Sequence, residues 1–182
     1  MKKALIFLAE GFEEAEAFCP YDCLKRAEIE VTLAGVGGTT VTSSHGLAVN
    51  CDVAVEDVNA DDYVLAFCPG GMPGAVNLQG SWHVNKILVK LAQTGYVAAI
   101  CASPAVVLAP LGLLDGRIAT CYPSCSVYAP SHHFTQEGVC VDGNIITGKS
   151  AGWAFDLGIK LVEILKGKET AEKVRASIYY KD

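Results

Sequence analysis

The sequence predicts an α/β fold in which an open, mostly parallel sheet is covered by helices on both faces. Three observations carry this. Continuous apolar runs of strand length recur at Ala4 to Ala9, Tyr63 to Cys68 and Val97 to Cys101, and an unbroken run of that length marks a strand buried on both sides. Stretches with helical spacing separate these runs. Each run also ends in a loop of distinctive composition, and open α/β sheets gather their sites at the carboxyl ends of strands.

Taken in order, Ala4 to Ala9 is the first strand, and Gly11-Phe12-Glu13-Glu14-Ala15-Glu16 follows it. Helical spacing then runs through Phe18, Cys19, Cys23 and Leu24 to Ala27, with Lys25 and Arg26 at the solvent end, and Val31 to Gly35 is the next strand. Thr40 to Val58 breaks this rhythm. Its alternation around a His45-Gly46 turn, continuing through Val49, Cys51, Val53 and Val55, reads as a hairpin or an antiparallel edge.

Tyr63 to Cys68 is a third buried strand, closed by Pro69-Gly70-Gly71-Met72-Pro73-Gly74. That loop offers free amides and close backbone approach. Its glycine spacing is not that of a dinucleotide fingerprint. Trp82 to Leu91 is helical and Gly95 ends it; the strand Val97 to Cys101 then meets Ser103-Pro104, where proline suits a first helical turn. Arg117 to Pro123 reads as another strand, and Val139 to Thr147 as a hairpin around Asp142-Gly143. Ala151 to Lys166 and Glu169 to Ser177 are closing helices, and Trp82, Trp153 and Phe155 read as core or dimer packing.

A chain of 182 residues without linker, repeat or low-complexity tract is expected to form one domain over residues 1–182. A net charge of −6 with no run of Lys or Arg argues against nucleic acid as a partner. The first apolar run stops at Glu10, too short for a secretory signal, and no stretch approaches a membrane span. A cytoplasmic location with reduced thiols is the expectation. The pairs Cys19/Cys23 and Cys121/Cys125, with His132 and His133 beyond the second, lack the spacing of structural zinc sites, so no metal is expected. Cys51, Cys68 and Cys140 lie in strand-like runs as core residues.

The chemistry centres on Cys101, placed where a strand turns directly into a helix. The first amides of a helix lack intrahelical acceptors and carry the positive end of its dipole, so a thiol there tends towards the thiolate. An inert, buried cysteine is the alternative reading. The amide of Ala102, with those of Gly70 and Gly71, could hold an oxyanion developing on an attacked carbonyl. Glu16 is the natural partner: a carboxyl buried beside a thiol is driven to its protonated form and can donate to the thiolate. A solvated acid at a helix start is the rival reading, and it suits one of Glu13 and Glu14 better.

Three motifs, Gly-x-Glu-Glu-x-Glu after the first strand, Pro-Gly-Gly-x-x-Gly-Ala after the third and Ala-Ala-Ile-Cys-Ala-x-Pro at the turn, resemble the ThiJ/PfpI superfamily in the branch of the parkinsonism-associated DJ-one and YajL proteins. The resemblance extends to the closing Gly-Lys-Glu and Tyr-Tyr-Lys-Asp. It implies a flavodoxin-like three-layer sandwich with a nucleophile elbow, assembled as a homodimer. Cys101 matches the reactive, oxidation-prone cysteine, Glu16 the protonated acid beside it, and Gly71 and Ala102 the oxyanion amides. Arg26 matches an arginine of a dimer-side anion pocket, where His45 stands in for a second arginine. The activities it implies are cofactor-free glyoxalase and deglycase chemistry on small aldehydes such as methylglyoxal, with oxidative-stress protection; a redox sensor or chaperone whose cysteine goes to sulfinate is the alternative.

Two departures shape the expectation. Ala102 follows Cys101 where peptidase-type members carry a histidine, so no triad can be drawn. Thr120-Cys121-Tyr122-Pro123 stands where DJ-one has a histidine near the cysteine.

Overall fold

A computed structural model describes residues 3–180. Met1, Lys2 and the Lys181-Asp182 end of the family-like tail lie outside the described residues. The strands are β1 (Lys3–Leu8), β2 (Glu30–Gly35), β3 (Thr40–Thr42), β4 (Ala48–Asn50), β5 (Val53–Ala54), β6 (Leu65–Cys68), β7 (Tyr96–Ile100), β8 (Val139–Asp142) and β9 (Ile145–Gly148). The helices are α1 (Glu14–Arg26), α2 (Gly74–Gly80), α3 (Trp82–Thr94), α4 (Ala154–Lys166) and α5 (Lys168–Ser177). Seven strands form one sheet in the order β5-β2-β1-β6-β7-β9-β8, and every pair in it is parallel except β8 with β9. The mixed α/β architecture with a mostly parallel central sheet is therefore the one expected.

Side chains of the central strands divide by period two between the faces. Leu5 and Phe7, Ala66 and Cys68, and Val97 and Ala99 join one apolar cluster with α2 and α3. Ala4, Ile6 and Leu8, Leu65 and Phe67, and Ala98 and Ile100 join the other, with α1, α4 and α5. The runs read as continuously apolar because both faces are covered. Glycine lets α4 approach α1 closely: a Cβ on Gly158 would lie 2.9 Å from the Pro20 Cα and the Cys23 sulfur.

Five expectations change. The hairpin around His45-Gly46 is β3 with β4, but the alternation ends there, and Val53-Ala54 turns away to pair in parallel with β2 at the sheet edge. Arg117 to Pro123 forms no strand; a single bridge from Ala119 to Phe134 and side-chain bonds to Thr147 and Asp142 hold it extended beside the sheet. The segment after Cys101 is a π-helical turn, Pro104–Leu108, followed by a 3₁₀ turn. The glycine loop leads into an additional short helix, α2. Of the core or dimer packing expected of Trp82, Trp153 and Phe155, their exposure removes the core. Among the described residues no helix is long and apolar enough to cross a membrane.

The chain leaves β1 towards β2 on one side and later returns to β6 on the other, so strand order reverses around β1. The loops after β1, β6 and β7 converge at the carboxyl rim of the sheet, where a crevice opens.

Candidate active site

Cys101 follows β7 with φ at +62°, a left-handed conformation that costs a non-glycine residue of order 1 kcal/mol or more. Two backbone bonds hold it there. Its N–H donates to the Gly148 carbonyl at 2.9 Å, and its carbonyl accepts from the Tyr122 N–H at 2.8 Å. Ser103, fully buried, donates from Oγ to the Pro69 carbonyl at 2.6 Å and so fastens the elbow to the loop after β6.

Glu16 sits in the first turn of α1 and is 1% exposed. Its Oε2 accepts from the Gly70 N–H at 2.9 Å, and the carboxyl also bonds the Ala151 amide and the Cys101 thiol. Only glycine fits at position 70, because a Cβ there would lie 2.4 Å from that Oε2 and 2.6 Å from the Cys101 Cβ. Gly71 has φ at +90°, and a Cβ on it would lie 2.5 Å from the Glu13 nitrogen and the Gly11 carbonyl oxygen. The β1 and β6 loops are thus interlocked backbone to backbone. The Glu13 N–H completes the lock by donating to the Gly70 carbonyl at 3.0 Å.

Burial raises the Glu16 pKa from 4.5 to about 7, helped by the charge of Glu13, while the bonds from Cys101, Gly70 and Ala151 act the other way. Burial also pushes the Cys101 thiol up, and the Glu16 carboxylate pushes it further, against the amides of Gly71 and Ala102 that donate to the sulfur. The helix-start amides pull the thiol towards ionisation, and desolvation with the adjacent carboxylate pulls it the other way. The thiolate becomes accessible when the proton it gives up rests on Glu16, so the two groups share a proton as one coupled acid.

The pair opens into a cavity of about 410 Å³ lined by Glu13, Glu16, Gly71, Cys101, Tyr122, Ser150, Ala151 and Gly152. Gly71 and Ala102 direct their amides at the sulfur, whereas Gly70 spends its amide on Glu16. Arg26 and His45 do not meet at this site within the chain. Arg26, at the far end of α1, bonds Asp22 at 2.7 Å and lines a separate cavity with Lys166 and Lys173. His45 caps the acidic loop instead, with Nδ1 2.7 Å from Glu14 and 3.7 Å from Glu13. Glu14 also accepts from Ser43 Oγ; burial lifts its pKa, but the Ser43 and His45 bonds prevail and hold it at about 2.

His132 bonds Asp115 at 3.2 Å and, like His133, stands outside the cavity wall. Among the described residues, the one group of three His, Cys, Asp or Glu side chains with converging ligand atoms is Glu13, Glu14 and His45, and it includes neither cysteine pair. Sequence reasoning missed Glu13, Tyr122 and the Ser150 to Gly152 turn as cavity walls. Glu13 was visible as the first acid of its motif, but the others carry no local signature.

A strained cysteine at a strand-to-helix elbow, bonded to a buried acid and two amides, defines a class: α/β proteins with a cysteine nucleophile elbow and no histidine in the described cavity wall. Within that class, residues 2–164 match the model of the DJ-1/PfpI family, and the chain belongs to this family. The Parkinson disease protein 7 homolog of Danio rerio is 36% identical over 187 residues, covering 100% of this chain and 98% of the relative. The glutathione-independent glyoxalase DJR-1.2 of Caenorhabditis elegans is 32% identical over 172 residues, covering 92% and 91%. The solved structure of oxidized Toxoplasma gondii DJ-1 superposes with a TM-score of 0.95 at 36% identity, with 100% of both chains covered.

Proposed function

We propose that this chain is a cysteine-dependent, cofactor-free enzyme of the glyoxalase/deglycase type, acting on small α-oxoaldehydes such as methylglyoxal or their adducts. The observation that carries the reading is the Cys101 thiol bonded to a Glu16 carboxyl whose pKa lies at about 7, which makes Glu16 able to hold or release a proton near neutrality. In the first step sulfur adds to the aldehyde carbon and Glu16 protonates the new alkoxide, giving a hemithioacetal. The Glu16 carboxylate then removes the proton on that carbon and returns it to the neighbouring one through an enediol, leaving a thioester. Water cleaves the thioester to lactate and restores the thiol, so the sum is methylglyoxal plus water to lactate. The nematode relative, named as a glutathione-independent glyoxalase, supports this chemistry.

The test is lactate formation from methylglyoxal by purified protein without glutathione or metal. Cys101→Ser is expected to lose at least a hundredfold in rate; a Cys101→Ser protein as fast as wild type overturns the proposal.

A second reading, a redox sensor or chaperone whose Cys101 is oxidised to sulfinate, is favoured by the same acid and amides, which suit sulfinate oxygens, and by the oxidized state named for the Toxoplasma relative. Peroxide titration followed by intact mass separates the two: arrest at two added oxygens with negligible methylglyoxal turnover favours the sensor. Assembly as a cytoplasmic homodimer is part of the proposal. The exposed Trp153 and Phe155, 42% and 36% accessible, support association, and light scattering tests it.

A further inference from the structure

The wall of the Cys101 cavity carries two carboxyl groups, Glu13 and Glu16, and, among the described residues, no cation. Lys149, next in sequence to Ser150, turns away and donates to the Gln136 backbone and side-chain oxygens at 3.2 and 3.0 Å. Glu13 is fixed at the start of α1, where its Oε1 accepts from the Ala15 N–H at 3.3 Å and its Oε2 from Ser44 Oγ at 3.4 Å. The imidazole of His45 lies 3.7 Å from Oε2. Glu13 is therefore held in place at the cavity wall, half-buried, and this chain adds no cation to that wall.

We infer that Glu13 makes the entrance a charge filter, admitting neutral and cationic carbonyl compounds and turning away those with a permanent carboxylate or phosphate. This deepens the proposed function and rests on Cys101 being the reacting atom. The amides of Gly71 and Ala102 do not counter the filter, because they point at the sulfur and serve charge that develops there. A carboxylate elsewhere on the ligand must face Glu13, and two like charges a few ångströms apart in a partly desolvated site repel strongly.

The test compares alkylation of Cys101 by iodoacetamide and iodoacetate, which differ little in size and share a leaving group. In both, the thiolate displaces iodide and forms a carbon–sulfur bond, and modification is read by peptide mass at Cys101. The ratio of the two rates, divided by the same ratio for free glutathione, cancels effects on the thiol itself, including any that Glu13 exerts through Glu16. In wild type the normalised ratio is expected to favour iodoacetamide and to fall as salt is raised. Glu13→Gln, which keeps the acceptor at the helix start, is expected to lower it about fivefold. The exposed and remote Glu56→Gln is expected to leave it within about twofold of wild type.

His45→Gln, which strips the imidazole from Oε2 of Glu13 while Oε1 keeps the helix cap, is expected to raise the ratio. In turnover, Glu13→Gln is expected to gain rate on glyoxylate relative to glyoxal. A ratio unchanged in Glu13→Gln, or shifted equally by Glu56→Gln, overturns the filter. Because alkylation needs no turnover, a protein that shows the filter but never converts methylglyoxal loses the proposed activity and keeps this inference. A protein that turns over methylglyoxal but ignores Glu13 does the reverse.

Discussion

Replacing Glu16 with glutamine is expected to stabilise the protein at alkaline pH and to leave it nearly unchanged in mild acid. Glu16 is 1% exposed, and burial takes its pKa from 4.5 to about 7. Between those two values the folded chain keeps a proton that the unfolded chain has released, so the folded state binds more protons and stability falls as pH rises through the window. A rise from 4.5 to about 7, at about 1.4 kcal/mol per pH unit, amounts to about 3 kcal/mol of penalty, absent below the unfolded value and complete above the folded one.

Glutamine never ionises and carries none of this penalty, and its oxygen can still accept from Gly70. Urea unfolding of both proteins at about pH 5 and about pH 8, at one protein concentration, should show curves that converge in acid and separate by up to about 3 kcal/mol in alkali. For a chain of this length that is a difference of roughly 6 to 12 °C in Tm. Other titrating groups cancel in the comparison. Parallel curves, with glutamine offset by the same amount at both pH values, would refute the account of Glu16 as a carboxyl kept protonated by burial.

Three further outcomes follow from the elbow. Gly70→Ala forces a Cβ to within 2.4 Å of Glu16 Oε2 and 2.6 Å of the Cys101 Cβ, so about 1 to 3 kcal/mol of stability should be lost, with slower iodoacetamide labelling of Cys101. Cys101→Gly should be more stable than Cys101→Ala by about 1 kcal/mol, against the usual order, because glycine accepts the left-handed backbone freely; denaturant midpoints decide it. Ser103→Ala removes the donor to the buried Pro69 carbonyl at 2.6 Å and should cost about 1 to 3 kcal/mol, measured by thermal melting.

The scaffold was legible because two-sided burial writes itself as continuous apolar runs, and β1, β6 and β7 fall on those runs. Cys101 and Glu16 were legible because each sits in a loop at a strand's carboxyl end, and parallel strands bring such loops to one rim. Tyr122 and the Ser150 to Gly152 turn were not, since they reach the cavity from segments distant in sequence whose only signal is tertiary. Arg117 to Pro123 has strand composition but lacks a neighbour strand, so propensity without a ladder left it merely extended. The positive φ of Cys101 and the net upward push on its thiol were equally hidden, because desolvation is set by what packs around the sulfur. Within one chain Arg26 and His45 lie apart for a related reason: His45 is drawn to Glu14, and Arg26 lies at the opposite end of α1.

Both rims of the sheet are short. β5 offers two residues, and β8 offers four, with the Asp142 carboxylate beside it already taken by the Ile118 N–H at 2.8 Å and the Asp142 carbonyl by Arg117 at 2.9 Å. Little unpaired backbone is left as a template for strand addition. Growth by strand addition into extended cross-β aggregates is therefore disfavoured at both edges of this sheet.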